Sequence, residues 1–269
     1  MEVRSISLRD SLGAASFVST GDIIASRFCC DSRRIQPGDV FVALRGSSVD
    51  AHVHLESAIA NGAVGAAVDR PSSRIRGPRC VVAETRAAFA RICLERMGAP
   101  QKSLSVTGVT GTNGKSTTTW LMRSILQTAG RNAGLLGTLE YFDGRIAEPA
   151  VLTTPDSEQI ARYLAQMTRN GVTDCVMEIS SHALHQRRCA GITLAYHGDA
   201  FHYTAAKIQI ESMLASGGVL LLGADDEGCK AVRSQLPAHR RILTFGFDPA
   251  ADLRVEQLHA TVSGQILQL

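Results

Sequence analysis

Residues 105 to 126 read SVTGVTGTNGKSTTTWLMRSIL: an apolar strand, a glycine-rich turn and a helix with nothing between them. Glycines at 108, 111 and 114 let backbone N–H groups turn toward an anion, and Lys115 arrives at a helix N-terminus, where the peptide dipoles favour negative charge. The strict spelling GxxxxGK[ST] asks for glycine at 109, where this chain has Val109; because the central Gly111 is kept, the departure costs little. On this pattern the loop Gly111, Thr112, Asn113, Gly114, Lys115, Ser116 and Thr117 cradles nucleotide phosphates. Lys115 sits on the β/γ phosphates and Ser116 on Mg²⁺. Trp120, Leu121, Ile125 and Leu126 lie on faces compatible with a packed helix, and Gly130 is its stop. The competing reading is a glycine-rich turn that holds no ligand.

The pattern around this segment predicts an α/β chain in two domains, 1–100 and 101–269. In the first, PGDVFVALRG is a turn and a strand, HLESAIANGA a helix ended by Gly62, and VGAAVD a strand, with one more strand and helix over 80–96. MGAPQKS reads as a linker. From Leu104 onward strand and helix signals alternate (LSVTGVTG, the loop helix, AGLLGTL, a helix near 157–170, TDCVMEIS), which calls for a mainly parallel sheet flanked by helices. GGVLLLGADD, RILTFG and a terminal hairpin in DLRVEQLHATVSGQILQL follow.

Composition narrows the partners. A net charge of +3, with basic residues scattered rather than striped, gives no nucleic-acid footprint, so a small-molecule partner is expected. Seven cysteines without a CxxC spacing read as reduced thiols, and Cys29-Cys30 as packing. No apolar run suits a signal peptide or a membrane span, so a cytoplasmic location is expected.

Beyond the loop, GVTGTNGKSTTT resembles the ATP loop of the Mur ligases, which add amino acids to UDP-N-acetylmuramoyl peptides during peptidoglycan synthesis. DSRRIQPGDVFVALRG, DAHVHLESAIANGA, TTPDS, MEISSHAL and YHGDAFHYTAAK are similar, in order from about residue 30, to the branch that attaches diaminopimelate or lysine to UDP-MurNAc-L-Ala-D-Glu. The resemblance implies ATP and Mg²⁺ as cofactors, a UDP-N-acetylmuramoyl peptide and a small amino acid as partners, no membrane insertion, and a monomer. It makes Ser32 a contact to the uridine nucleotide and gives the peptidyl substrate to Thr153, Thr154, Ser180, Gln186 and Arg188. Lys115, Glu178 and Lys207 become the catalytic set, with Glu178 and a carbamylated Lys207 joining Ser116 on Mg²⁺. Without the motif, Glu178 and His182 read as ordinary cap or surface residues, and Lys207 as a solvated helix position. This chain nevertheless has only four lysines, at 102, 115, 207 and 230, and two fall where the family uses one.

Two departures bear on activity. Between Ile192 and Tyr196 the family inserts a strand and the stretch TNLxxDHLD, where this chain has only Thr193-Leu194-Ala195. A metal-ligating histidine goes with it, and the expectation is a sheet lacking one strand, with a void or an open edge. The 269 residues also contain neither an FNxxN-type segment nor an Asp-Asn-Pro-Arg string, the marks of the family's adenine contact and third domain, so that domain is expected to be absent. Leu152 stands where an asparagine often precedes the paired threonines. The readings left open are a ligase with impaired turnover, a non-catalytic relative or remnant that binds ATP or UDP-MurNAc-dipeptide, and an unrelated P-loop phosphotransferase. The last has no need of DSRRIQPGDVFVALRG.

Overall fold

A computed structural model describes residues 4–46, 49–71, 77–111, 113–199, 213–237, 239–261 and 264–268. Two compact units emerge: Met1–Pro100 with Ser157–Ala165 and Arg187–Gly191, and Gln101–Asp156 with Gln166–Gln186 and Ile192–Leu269.

The first unit opens with β1 (Ile6–Ser7), α1 (Leu8–Leu12), β2 (Ser16–Val18), β3 (Ile24–Ala25) and β4 (Phe28–Cys29). It continues through β5 (Val40–Val42), α2 (Leu55–Ala60), β6 (Gly65–Val68), β7 (Arg79–Val81) and α3 (Thr85–Arg96). A five-stranded sheet runs β2-β7-β6-β5-β4, parallel except for the β2 edge. All residues of β5 and β6 are buried, as strands covered on both faces must be. Leu8, Val40, Val42 and Ile92 anchor one core, and Phe41, Leu55 and Ala66 another.

The second unit is built on β8 (Ser105–Val109), α4 (Lys115–Thr128), β9 (Ala133–Leu136), β10 (Glu140–Phe142), β11 (Ala147–Pro149) and β12 (Asp174–Glu178). After α5 (Ser157–Arg169) and α6 (Ser181–His185) come β13 (Leu194–Asp199), β14 (Leu214–Gly223), α7 (Glu227–Arg233), β15 (Arg241–Gly246) and β16 (Leu253–Arg254). A separate hairpin, β17 (Gln257–Thr261) and β18 (Gly264–Gln268), ends the described chain. The nine-stranded sheet has the order β11-β10-β9-β12-β8-β13-β14-β15-β16 and is parallel from β9 to β16, with β10 and β11 as an antiparallel hairpin at one edge. An Asp143-Gly144 turn joins that hairpin: Gly144 takes φ +94° and Asp143 Oδ1 accepts from the N–H groups of Arg145 and Ile146. Successive strands are added on one side of β8 up to β12 and on the other from β13, so the chain reverses direction of travel at β8. The carboxyl ends of strands at such a reversal are where open α/β sheets bind ligands.

Three expectations change. The sheet has no missing strand: β13 lies between β8 and β14, parallel to both, and pairs Tyr196 with Thr107, His197 with Gly108 and Gly198 with Val109. The residues that follow Ile192 fill the slot themselves, and a bulge at Ala195 takes up the irregular register. Gly108 belongs to β8, not to the loop. A Cβ there would lie 2.7 Å from Ile179 Cδ1 and 2.9 Å from Leu194 Cδ1, so close packing explains this glycine. Finally, Trp120, Leu121 and Ile125 do not form the buried face of α4; they are 40%, 59% and 67% exposed. Thr119 is the one fully buried position of α4, and Ser116, Met122, Arg123 and Leu126 are half-buried beside it. The phase of the helix is fixed at its first turn, where Ser116 must reach inward. Gly130 does stop the helix, at φ +76°, with its N–H on Gln127 O and that of Arg131 on Leu126 O.

Replacing Gly108 by valine should lower unfolding stability by about 1–3 kcal/mol, the usual cost of an overpacked core. Urea titration checks this, and an unchanged midpoint would show that Ile179 and Leu194 yield freely.

Candidate phosphate and carboxylate site

The site lies where β8, β9 and β12 end. Thr110, Gly111 and Gly114 form the described part of the loop after β8; Thr112 lies outside the described residues. Gly111 takes φ +153° and Gly114 φ +77°, conformations that side chains resist. Gly114 is the N-cap of α4 and supplies no side-chain cap, so the first N–H groups of a fourteen-residue helix face the loop. Lys115 Nζ donates to Gly111 O at 2.8 Å and thereby closes the loop with its own cation. Thr110 is 3% exposed, and its Oγ1 has no hydrogen-bond partner among the described residues. A buried hydroxyl left unbonded is costly, and an oxygen-rich ligand in the loop would satisfy it.

Glu178, the last residue of β12, is fully buried. Its Oε2 accepts from Ser116 Oγ at 3.1 Å and from Thr138 Oγ1 at 3.0 Å, and its Oε1 accepts from Thr138 N at 2.8 Å. Thr138 Oγ1 also lies 3.2 Å from Thr153 Oγ1. Thr154 is buried and donates from Oγ1 to Glu178 O at 2.8 Å while accepting from Ser180 N at 2.9 Å. Ser180 caps α6 by accepting from Ala183 N. Tyr141 holds the approach to the threonines: its hydroxyl donates to Leu152 O at 2.6 Å and accepts from Leu152 N at 2.9 Å. Thus Lys115, Ser116, Glu178, Thr153, Thr154 and Ser180, far apart in sequence, come together. Thr138 was not among the residues expected from sequence; the signal that points to it is a Gly-Thr step at the carboxyl end of a buried strand.

The donor set suits a hard cation. One hydroxyl and one carboxylate beside a phosphate loop are what Mg²⁺ takes from a protein when phosphates and water supply the rest. Among the described residues there is no cluster of three or more His, Cys, Asp or Glu side chains that would make an all-protein cage. Lys207 lies outside the described residues. Gln186 follows α6, its Nε2 2.8 Å from His182 Nε2. After it Arg187 takes φ +55°, and Arg188, grouped with the first unit, accepts from Ser157 Oγ through its backbone carbonyl.

Ser32 stands in the first unit, on the wall of a cavity of about 620 Å³ shared with Arg33, His54, Asn61 and Arg86. It is buried, and its carbonyl accepts from Asn61 Nδ2 at 3.1 Å. Arg33 clamps Asp31 and lowers that carboxyl to about 2. Residues adjoining the cavity wall in sequence carry a chain of polar contacts, Arg70–Asp50–His52–Asp69–Arg45, in which the buried His52 ring is 2.6 Å from Asp50 Oδ1 and 3.2 Å from Asp69 Oδ1. Cys30, also on the wall, and the other six cysteines are free thiols. Burial pushes Cys189 up to about 12, which marks it as packing rather than chemistry.

A strand–glycine loop–helix with a buried carboxylate at the end of the neighbouring strand defines a P-loop-type α/β domain. The chain belongs to the Mur ligase family: residues 109–269 match the Mur ligase middle domain. Among curated relatives it is 33% identical over 283 residues to the UDP-N-acetylmuramoyl-L-alanyl-D-glutamate–2,6-diaminopimelate ligase of Halalkalibacterium halodurans, covering 99% of this chain and 58% of that protein. It is 35% identical over 267 residues to the ligase of the same name from Geobacillus thermodenitrificans, covering 92% and 54%. A solved diaminopimelate ligase structure shares the fold, with a TM-score of 0.76 at 21% identity over 98% of this chain and 57% of that one. MurF from Acinetobacter baumannii follows at 0.54 and 21%, over 99% and 61%. The chain therefore spans about half the length of the curated relatives it matches.

The charge chain beside the cavity has a pH signature. Burial acts to raise the Asp50 pKa, but the N–H and ring of His52 and the Arg70 guanidinium outweigh it and hold the carboxyl well below the ordinary range. A carboxyl lowered in the fold contributes stability that is full above its unfolded value of about 3.9, begins to fall as pH drops past it and is lost as pH falls through the folded value. Between pH 6 and pH 3 the wild-type Tm should fall more steeply than that of Asp50→Asn; parallel curves would show that Asp50 contributes nothing.

Proposed function

We propose that this chain binds ATP and UDP-MurNAc-L-Ala-D-Glu and activates the peptidyl carboxylate for addition of a diamino acid. Residues 1–100 hold the uridine nucleotide through Ser32, and residues 101–269 hold ATP and the peptide. The observation that carries this reading is the Ser116–Glu178 pair beside the glycine loop, with Thr153 and Thr154 on the same carboxylate strand end. A carboxylate is a poor electrophile. Moving the γ-phosphoryl group of ATP onto it gives an acyl phosphate, whose carbonyl the amine attacks as phosphate leaves. Lys115 offers its charge to the β/γ phosphates, the α4 N-terminus adds its N–H groups, and Thr153, Thr154, Ser180, Gln186 and Arg188 orient the acceptor. Ser116, Glu178 and a carbamylated Lys207 would hold Mg²⁺, which when bound would neutralise phosphate charge. The relatives named above are diaminopimelate ligases, which favours diaminopimelate over lysine as the amine. No helix among the described residues is long and apolar enough to cross a membrane, in keeping with a cytoplasmic role.

A second reading, binding without turnover, is favoured by β13. His197 and Gly198 are paired into the sheet directly after Ile192 and a short link, and the segment in which the family carries its Asp-His pair has no counterpart. A metal left short of one ligand slows phosphoryl transfer.

Two measurements test these readings. ATP with Mg²⁺ should raise the Tm of the wild-type chain, and Lys115→Ala should abolish the gain; a wild-type melting curve indifferent to ATP removes the nucleotide assignment. Incubating the chain with UDP-MurNAc-L-Ala-D-Glu, ATP, Mg²⁺ and diaminopimelate or lysine should give no tripeptide by mass at an enzymatic rate. Tripeptide that disappears in Lys115→Ala would instead establish full ligation by these 269 residues.

A further inference from the structure

Thr138 touches both halves of the site. Gly137 and Thr138 turn directly off β9, with Gly137 N on Glu140 O at 3.2 Å, and the turn is pressed against the buried carboxylate. A Cβ on Gly137 would lie 2.6 Å from Glu178 Oε1, so the backbone itself forms this wall. Thr138 then binds both carboxylate oxygens, one through its amide and one through its hydroxyl. The hydroxyl carries a single proton, and two acceptors are within reach: Glu178 Oε2 at 3.0 Å and Thr153 Oγ1 at 3.2 Å. The carboxylate oxygen is the nearer and stronger acceptor and takes it. Within that contact Thr153 is then the donor and Thr138 the acceptor, so the Thr153 proton is drawn toward Thr138.

We propose that Thr138 is a positioning residue that couples the two substrate sites, its hydroxyl proton turning from Glu178 to Thr153 when the Glu178 carboxylate is committed to a cation. Thr153 then receives a hydrogen bond on its oxygen, and its own O–H is left to donate a hydrogen bond to the acceptor's carboxylate. The coupling is reciprocal: nucleotide with Mg²⁺ prepares the threonines for the acceptor, and the acceptor tightens nucleotide binding by the same factor. The inference rests on the assignment of the nucleotide and acceptor sites above, and it concerns binding free energies, so it holds whether or not the chain turns over.

Calorimetry on the full chain tests it, with UDP-MurNAc-L-Ala-D-Glu titrated in the presence and absence of β,γ-methylene-ATP and Mg²⁺. The wild type should bind the acceptor about fivefold or more tightly with the nucleotide analogue present, the lower end of ordinary coupling. Thr138→Val keeps the amide bond to Glu178 and removes the hydroxyl; it should bind each ligand alone yet bring the ratio close to one. Thr138→Ser should restore it. Thr153→Val, which removes the other end of the contact and leaves Glu178 untouched, should also bring the ratio close to one. A purely supporting role for Thr138 would lower both affinities in Thr138→Val and leave their ratio as it was. Wild-type coupling preserved in either valine variant overturns the inference while the site assignment stands. A wild-type chain that binds neither ligand removes the assignment and the inference with it.

Discussion

The second unit is organised around a carboxylate buried at the end of a strand. Glu178 is out of contact with water, and such a group is tolerable only when its lone pairs are occupied. Ser116 and Thr138 occupy them, and each does so at a cost in freedom to its own element. Ser116 sets the rotation of α4, which explains why Thr119 rather than Leu121 is the buried position of that helix. Thr138 sets the exit from β9, which requires a residue without a side chain at 137. Thr154, bonded to the Glu178 carbonyl, brings the segment after β11 to the same point. One charge thus fixes the mutual geometry of a loop, a helix and two connections.

Much of this could be read before any coordinates. Parallel strands covered on both faces appear as unbroken apolar runs, and β5, β6, β8 and β12 were recognisable in that way. The glycine loop announced itself by spacing, and the residues gathered around Glu178, Thr138 apart, by resemblance. What escaped was of another kind. The β10–β11 hairpin carried a sequence signal in Asp143-Gly144, but its outer strand is fully exposed and so lacks an apolar pattern. Thr138 has no motif; its importance comes from a turn geometry that only the packed Glu178 makes visible. The Asp50–His52–Asp69 chain joins residues up to nineteen positions apart through a loop and a strand end, where periodicity says nothing.

The misjudged strand is the more instructive case. Counting residues between Ile192 and Tyr196 leads to the expectation of a gap in the sheet, and β13 closes that gap. Backbone pairing does not depend on which side chains a strand carries, so the gap between β8 and β14 is filled by the residues next in line. Sheet architecture is therefore separable from site composition: the slot between β8 and β14 is filled whatever side chains the strand carries.

The chain's one tryptophan has a practical consequence. Trp120 lies on the second turn of α4, partly open to solvent, with the Arg123 guanidinium 5.7 Å from its ring and Arg123 in turn stacked 3.9 Å from Phe142 on the β10–β11 hairpin. A single indole so placed turns intrinsic fluorescence into a local gauge. Emission from this protein reports on the helix behind the glycine loop and the hairpin it touches, with no second indole elsewhere to dilute the signal.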